Sequence, residues 1–408
     1  MSSLKVIYIS YDGMCDPVGA SQVLPYIAEL SKKNIEYFLI SFEKADKFKS
    51  GEAVVRAQID GLSVKWYPCS YTKNPPVVST TLDLRKMKLL CEKICNENAI
   101  DFIHARSYIS ALAALQLFRK RNIPFIFDMR GFWADERVDG RIWNMRNPLY
   151  KTIYSYFKRK EKTLLKKSAV IISLTHAAKS LMCEEWSVPE NKIHVIPCAA
   201  DYAHFTKPDK NSIDEFRLKV QVPAVSGKTL MYVGSTGTWY MMQEMFDFYD
   251  VFRKNFPHSQ FVLCINEKNP VVESMKLKYP EEIVVLERIP RSQMSHVLSL
   301  ADFSVMFIKP AFSKKASSPI KLGESLAMGV PVICNAGVGD LGTIEDEKFG
   351  VVVNTTTIIE YEAACKRLAA FDFSAADIRD RSAFAYDLAR NVDKYFAVYH
   401  EVKADKYH

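Results

Sequence analysis

The run Ser317-Ser318-Pro319-Ile320-Lys321-Leu322-Gly323-Glu324 sets one cation and one carboxylate three residues apart, just ahead of Gly329. Ser318 reads as a helix N-cap, Pro319 as the first helical residue and Gly329 as the terminator before a strand at Val330. Lys321 then falls in the first turn, with Glu324 one turn later on the same face. Left to water, the two would form a surface salt bridge worth about 0.3 to 0.5 kcal/mol. That order runs against the helix dipole, which favours the acid at the start and the base at the end. A phosphate beside Lys321 would reverse the penalty, and Glu324 would accept hydrogen bonds from sugar hydroxyls. The turn therefore suits the diphosphate and ribose of a nucleotide.

Two strand-to-helix turns are open enough to admit a phosphate. Strand Thr229–Val233 leads into Gly234-Ser235-Thr236-Gly237-Thr238, and Thr238 reads as the cap of a helix beginning near Trp239. Trp239 and Tyr240 at a helix start are costly to leave in water unless something covers them. The first strand runs into a loop carrying Gly13 and Gly19, followed by an amphipathic helix from about Gln22. Those glycines are six apart, so the G-x-G-x-x-G dinucleotide fingerprint is absent, and a plain connecting loop fits as well as a phosphate approach. The segments 101–108 (DFIHARSY) and 127–136 (FDMRGFWADE) bring His104, Asp128 and Arg130 to strand ends. A single histidine is usually structural; His, Asp and Arg at neighbouring strand ends suit a cleft handling hydroxyls and phosphates.

The elements that must position these residues alternate along the whole chain: short β-rich runs, then helix-length amphipathic stretches. The pattern predicts an α/β protein with parallel sheets. Strands are expected at 5–10, 36–41, 102–104, 125–128, 170–174 and 194–196. A second series is expected at 229–233, 260–264, 283–286, 303–307, 330–334 and 350–353. With 408 residues, two doubly wound domains follow, with ligands at the carboxyl ends of the strands. A polar, proline-bearing stretch at 197–211 reads as the linker. The domains are placed at 1–202 and 203–384, the first completed by a C-terminal helix at about 385–408.

A hydrophobic fraction of 48% and a charged fraction of 25% exclude a disordered or disulfide-scaffold chain. Nine cysteines form no C-x-x-C pair, so a reducing cytoplasm and no zinc are expected. The apolar start is too short for a signal peptide, and no window reaches the roughly 18 apolar residues of a membrane span. The net charge is +8, and residues 141–167 alone, with nine Lys or Arg and one acid, carry all of it. Such localisation argues against nucleic-acid binding. Within that segment Leu149, Ile153 and Phe157 recur every four residues, predicting a helix with an inward apolar stripe and outward cations. It reads either as a solvated helix end or as a contact for anionic lipid at the inner face of the cell membrane.

Taken together, these residues resemble the GT-B glycosyltransferases of the family-4 (group 1) kind, especially bacterial members that build surface polysaccharides. The likeness rests on ISYDGM with DPVGASQVLPY at 9–14 and 16–26, HARSY at 104–108 and DMRGFWADE at 128–136. In the second half it rests on VGSTGTWY at 233–240 and SPIKLGESLAMGVPV at 318–332. The resemblance implies two Rossmann-like domains facing across a cleft, and transfer of a hexose from a UDP or GDP sugar to a glycan or lipid-linked acceptor. Retention of configuration and no bound metal are also implied. By that likeness Glu324 binds the ribose, Lys321 with the helix start at Ser318 and Ile320 holds the diphosphate, and Gly234 and Ser235 form the phosphate-side loop. Ile289 frames the base, Gly19 approaches the donor, and His104, Asp128 and Arg130 face the transferred sugar and the acceptor. Family members often carry a second glutamate eight residues before the one at 324; here Ala316 stands there. The Arg and Lys pair that follows the glycine loop in many members is also missing, which raises the importance of Lys321. A nucleotide-sugar epimerase, or a non-catalytic nucleotide-sugar or glycan-binding protein, are the alternatives.

Overall fold

The structure, a computed structural model, describes residues 3–75, 77–372 and 374–405. The chain divides into two compact units, the first made of residues up to Pro197 together with those from Asn391 onward, the second of Cys198–Arg390.

The first unit holds a seven-stranded parallel sheet: β1 (Leu4–Ser10), β2 (Ile35–Glu43), β3 (Val64–Ser70), β4 (Phe102–Arg106), β5 (Phe125–Asp128), β6 (Val170–Ser173) and β7 (Ile193–Val195). Their order is β3-β2-β1-β4-β5-β6-β7. The central strands are buried along almost their whole length, which is why they read as continuous apolar runs. β3 is the strand that the sequence pattern does not predict. Its residues VKWYPCS are half exposed and include Pro68, which a sheet tolerates at an edge, where one side of the strand is unpaired.

The second unit repeats the plan with β8 (Thr229–Val233), β9 (Gln260–Cys264), β10 (Ile283–Leu286), β11 (Phe303–Met306), β12 (Val332–Asn335) and β13 (Gly350–Val353). Here the order is β10-β9-β8-β11-β12-β13, again parallel. Both orders start at a central strand, run outward, and return to build the other side, so each sheet has a switch point beside its first strand. In an open α/β sheet that is where a ligand crevice forms.

Residues 198–202, assigned by sequence to the first half, belong to the second unit. The backbone of Ala200 pairs with Tyr386 and Leu388, and Tyr202 and Phe205 sit in the second core. Arg379 secures the segment, its Nη2 donating to the Tyr202 carbonyl at 2.6 Å and its Nη1 to that of Phe205 at 2.5 Å. From Asn391 onward the last helix, Leu388–Asp405, packs in the first unit. Tyr395 meets Tyr26 and Tyr399 meets Phe102 edge-on, and Lys33 pairs with Asp393 at 3.0 Å.

The basic segment forms the helix Pro148–Lys167, capped by Asn147, which accepts from Leu149 N at 2.9 Å. Its inward stripe is not the predicted one. Phe157, Glu161, Leu164 and Leu165 are buried, whereas Leu149 is exposed and Ile153 only half buried. Leu149 and Ile153 precede the buried part of the helix, so spacing alone misjudged which apolar residues find a partner.

Candidate functional site

The helix Ile320–Ala327 starts one residue later than the pattern predicts, and Ser318 is not its cap. Ser318 Oγ instead accepts a hydrogen bond from Cys198 N at 3.2 Å, and Pro319 occupies the cap position without a side-chain bond. Lys321 remains in the first turn, but it does not pair with Glu324. Its Nζ donates to the Tyr232 hydroxyl at 3.1 Å and lies 3.7 Å from the centroid of the Tyr240 ring. Burial by these rings pulls the Lys321 pKa down to about 7, with the charge of Glu324 opposing the shift. A cation with aromatic faces around it and no anion in contact is one that a phosphate would stabilise in its charged form.

The turn after β8 brings its backbone against that ammonium group. Gly234 has φ of 143° and donates its N–H to the Cys264 carbonyl at 3.0 Å; a Cβ at this position would run into Lys321 Nζ. The Tyr232 hydroxyl, which accepts from Lys321, donates to the Ser235 carbonyl at 2.5 Å. Gly234, Ser235 and Lys321 are thus joined through one tyrosine. The following helix begins at Met242 rather than near Trp239, so Thr238 caps nothing. Thr238 and Trp239 instead form a turn closed by Tyr240 N on the Gly237 carbonyl at 3.0 Å, and Tyr240 makes an antiparallel bridge to Ile308, with Lys309 N donating to the Trp239 carbonyl at 2.8 Å and Met241 N to that of Phe307 at 3.0 Å. The two aromatics are covered after all: Lys314 Nζ lies 3.8 Å from the Trp239 ring and Lys321 covers Tyr240.

Glu324, nearly buried, accepts from Arg291 Nη1 at 2.8 Å. Arg291 follows the stretch after β10, where Arg288 takes a left-handed φ of 56° with its N–H on Asn266 Oδ1 at 3.0 Å, and where Ile289 packs against the core. The structure therefore gathers Gly234, Ser235, Ser318, Ile320, Lys321 and Glu324, with Ile289 on the segment leading to Arg291. All lie on turns and helix starts of one unit. Ala316 is buried at the end of a short turn, Phe312–Ala316, and contributes no polar atom. Arg291 and Tyr232 were missed by sequence reasoning; neither carries a local pattern, since each acts on a residue distant in the chain.

In the first unit, His104 and Asp128 are core residues, each 1% exposed. His104 Nδ1 is 2.7 Å from the Tyr399 hydroxyl and Nε2 is 3.4 Å from Asp128 Oδ2. A neutral imidazole satisfies both, accepting from tyrosine and donating to the carboxylate. Burial lowers the His104 pKa against the opposing pull of Asp128, consistent with that state. His104, expected to face the transferred sugar and the acceptor, is enclosed here and ties the last helix to β4 and β5. Asp128 is held below the usual carboxylate range; burial pushes its pKa up, and Arg130 with the His104 bond outweighs it. Arg130, on a left-handed backbone of φ 57°, reaches Asp128 at 3.8 Å and keeps more of its side chain open.

Gly19 lies buried in the short helix Pro17–Gln22, which starts earlier than expected and is separated by Val23 from the helix Leu24–Ser31. A Cβ on Gly19 would overlap the Gly13 carbonyl, so close packing of this helix on its own loop accounts for the glycine. The loop is held by Glu43 at the end of β2, which accepts from Met14 N at 2.7 Å, Cys15 N at 3.1 Å and Ser41 Oγ at 2.5 Å. Glu43 went unnoticed in the sequence, although its place at a strand's carboxyl end is a usable signal.

Residues 20–204 match the family described as Glycosyltransferase Family 4. No curated protein matches the chain in sequence. Among solved structures, a glycosyltransferase from Rickettsia africae ESF-5 superposes with a TM-score of 0.71 at 14% identity, covering 98% of this chain and 99% of that one. Sucrose-phosphate synthase from Thermosynechococcus elongatus gives 0.70 at 14% identity, covering 98% and 100%. Anabaena Alr3699/HepE in complex with UDP and glucose gives 0.66 at 11% identity, covering 97% and 99%. The family match supports glycosyl transfer as the activity, and the neighbours show the fold. The chain is thus an α/β protein of GT-B fold, two Rossmann-like units long, whose residues 20–204 carry a Glycosyltransferase Family 4 domain.

Proposed function

We propose that this protein transfers a hexose from a nucleoside diphosphate sugar to an acceptor hydroxyl, with retention of configuration, in the assembly of a bacterial surface glycan. The observation that carries the reading is Lys321, held by Tyr232 and Tyr240 against Gly234 at a helix start, with Glu324 one turn on. Lys321 and the uncapped amides of that helix stabilise charge developing on the leaving diphosphate. Glu324 takes the ribose hydroxyls, and the segment around Ile289 borders the base. No metal ion is needed for charge neutralisation in this scheme. The sugar's anomeric C–O bond to the β-phosphate breaks as the bond to the acceptor oxygen forms on the same face, and the acceptor's proton passes to the departing phosphate. In the first unit this reading gives Arg130 the role of meeting the sugar or acceptor, since it keeps more of its side chain open than Asp128. The acceptor is a glycan or lipid-linked glycan, met at the cytoplasmic face of the membrane.

UDP is the first base to test, because Anabaena HepE is seen with UDP and glucose. Thermal protection by UDP and GDP identifies the base, and product analysis with the matching sugars follows, with and without chelator. Lys321→Ala is expected to lower turnover at saturating donor by 10²-fold or more, on the order of an electrostatic contact made in the transition state, with little change in unfolding. Unchanged turnover in that variant removes Lys321 from the mechanism. An epimerised nucleotide sugar formed without acceptor replaces transfer with epimerisation.

A further inference from the structure

The surface of the first unit around the helices Val78–Glu97 and Pro148–Lys167 combines exposed apolar side chains with cations that have no acidic partner. On Pro148–Lys167 the outward residues are not simply polar. Leu149 is 57% exposed and Tyr156, two turns on, is 40% exposed, with Ile142 at 54% in the preceding loop. Leu149 and Tyr156 are seven residues apart, so they share a stripe, which lies at the edge of the outward side, about a quarter turn round the helix from Phe157, Glu161 and Leu164.

The one acid of the segment is absent from that surface. Glu161 is buried, paired with Lys158 at 2.5 Å and hydrogen-bonded by the Tyr108 hydroxyl. Of the nine cations, only Lys158 is engaged in this way. Arg141, Arg146, Lys151, Arg159 and Lys162 are exposed and, among the described residues, in no ion pair. The surface charge here is therefore undiluted, which the sequence count alone did not show.

The patch continues on a second helix. Ser107–Arg121 packs against both Val78–Glu97 and Pro148–Lys167, so these two flank it in one layer. On Val78–Glu97, Val78, Leu82 and Leu89 are exposed along one side, with Arg85 exposed among them. Lys88 of this helix is close enough to Lys160 that, after burial, repulsion from Lys160 and Lys120 helps lower its pKa. Lys120 is paired with Glu92 at 2.6 Å, so it is Lys88 and Lys160 that, among the described residues, stand near each other without an ion-pair partner, and an external anion would offset their repulsion.

We propose that this two-helix face docks the protein on an anionic lipid bilayer, with Leu149, Tyr156, Ile142, Leu82 and Leu89 entering the interface and the Lys and Arg residues meeting the headgroups. A flat anionic surface with an apolar layer beneath matches both components at once; a soluble polyanion would leave the apolar residues in water, and an apolar partner would leave the cations unbalanced. The proposal deepens the reading of a lipid-linked acceptor, yet it stands on this surface alone and survives if the donor assignment fails.

The test is co-sedimentation of the full chain with vesicles of phosphatidylcholine and phosphatidylglycerol (3:1), against pure phosphatidylcholine. Binding is expected only with the anionic vesicles at low salt, and falling steeply as salt is raised. Since each surface cation contributes about fivefold to partitioning, the variant K151Q/R159Q/K162Q is expected to bind roughly 100-fold more weakly. L149S/Y156S is expected to weaken binding at least tenfold without changing its salt dependence. These side chains are exposed, so both variants are expected to unfold as the parent does and to keep thermal protection by the nucleotide. No pelleting with anionic vesicles at low salt overturns the proposal. So does binding indifferent to L149S/Y156S, or capture by heparin without capture by vesicles, which would assign the charge to a soluble polyanion.

Discussion

At the scale of single residues, Lys321 shows how a charge can be prepared for a ligand that is itself charged. Aromatic rings enclose it, and its pKa of about 7 leaves it partly neutral in the free protein at neutral pH. A diphosphate beside it restores the proton. Between about 7 and the higher pKa of the complex, binding therefore takes up protons, and affinity falls as pH rises. Calorimetry of UDP binding at pH 8 in buffers of different ionisation heat is expected to report net proton uptake, absent in Lys321→Met. For folding the sign is opposite. The unfolded chain keeps the proton up to the ordinary lysine range, so this residue makes the free protein more stable as pH rises from about 7 toward 10. Arg291 offers a second test at this scale. Its guanidinium on Glu324 Oε1 leaves the other carboxylate oxygen for a ribose hydroxyl. Arg291→Gln is expected to weaken UDP binding roughly tenfold, the size of one charged hydrogen bond, and to narrow the preference for UDP over its 2′-deoxy form. An unchanged preference would show that Arg291 does not orient Glu324.

At the scale of elements, the turns that follow the first strand of each sheet are built differently. The turn after β8 runs to a bridge between Tyr240 and Ile308 and keeps Gly234 against Lys321. The turn after β1 closes into a short helix packed on its own loop, with Gly19 over Gly13 and Glu43 beneath. Gly19→Ala has no neighbouring side chain to push aside, only backbone, so a loss of about 1 to 3 kcal/mol is expected, read by urea unfolding of the whole chain. A loss near the few tenths that a helix-favouring alanine could offset would mean that the loop simply moves. The His104 to Tyr399 bond likewise works between elements, holding the last helix to β4.

At the scale of the molecule, each of the two units is built on its own parallel sheet, and the donor groups proposed here lie on the second. UDP is expected to slow hydrogen exchange within residues 198–390, strongest around 234–241, 288–291 and 318–324. Slowing confined to the first unit would reverse the assignment of donor and acceptor sides. The net charge of +8 also changes meaning at this scale. It falls on one segment of the first unit, residues 141–167, whose one acid, Glu161, is withdrawn into the core.

The alternation of apolar runs and amphipathic stretches, the turn glycines, and the motif around Lys321 and Glu324 were legible in the sequence, because strand burial, helix periodicity and capping act over a few residues. The same locality explains the near misses at helix starts: Ser318 looks like a cap until Cys198, 120 residues earlier, is seen to occupy its hydroxyl. The half-exposed edge strand β3 was lost for a related reason, since a strand with one free side carries no continuous apolar signal. What only the tertiary structure decided is which groups meet across long separations. It enclosed Lys321 with Tyr232, gave Glu324 to Arg291, buried His104 between Asp128 and Tyr399, and turned Leu149 outward. Residue type sets what a side chain can do, but desolvation and partner choice depend on the layer that covers it, and that layer comes from distant parts of the chain.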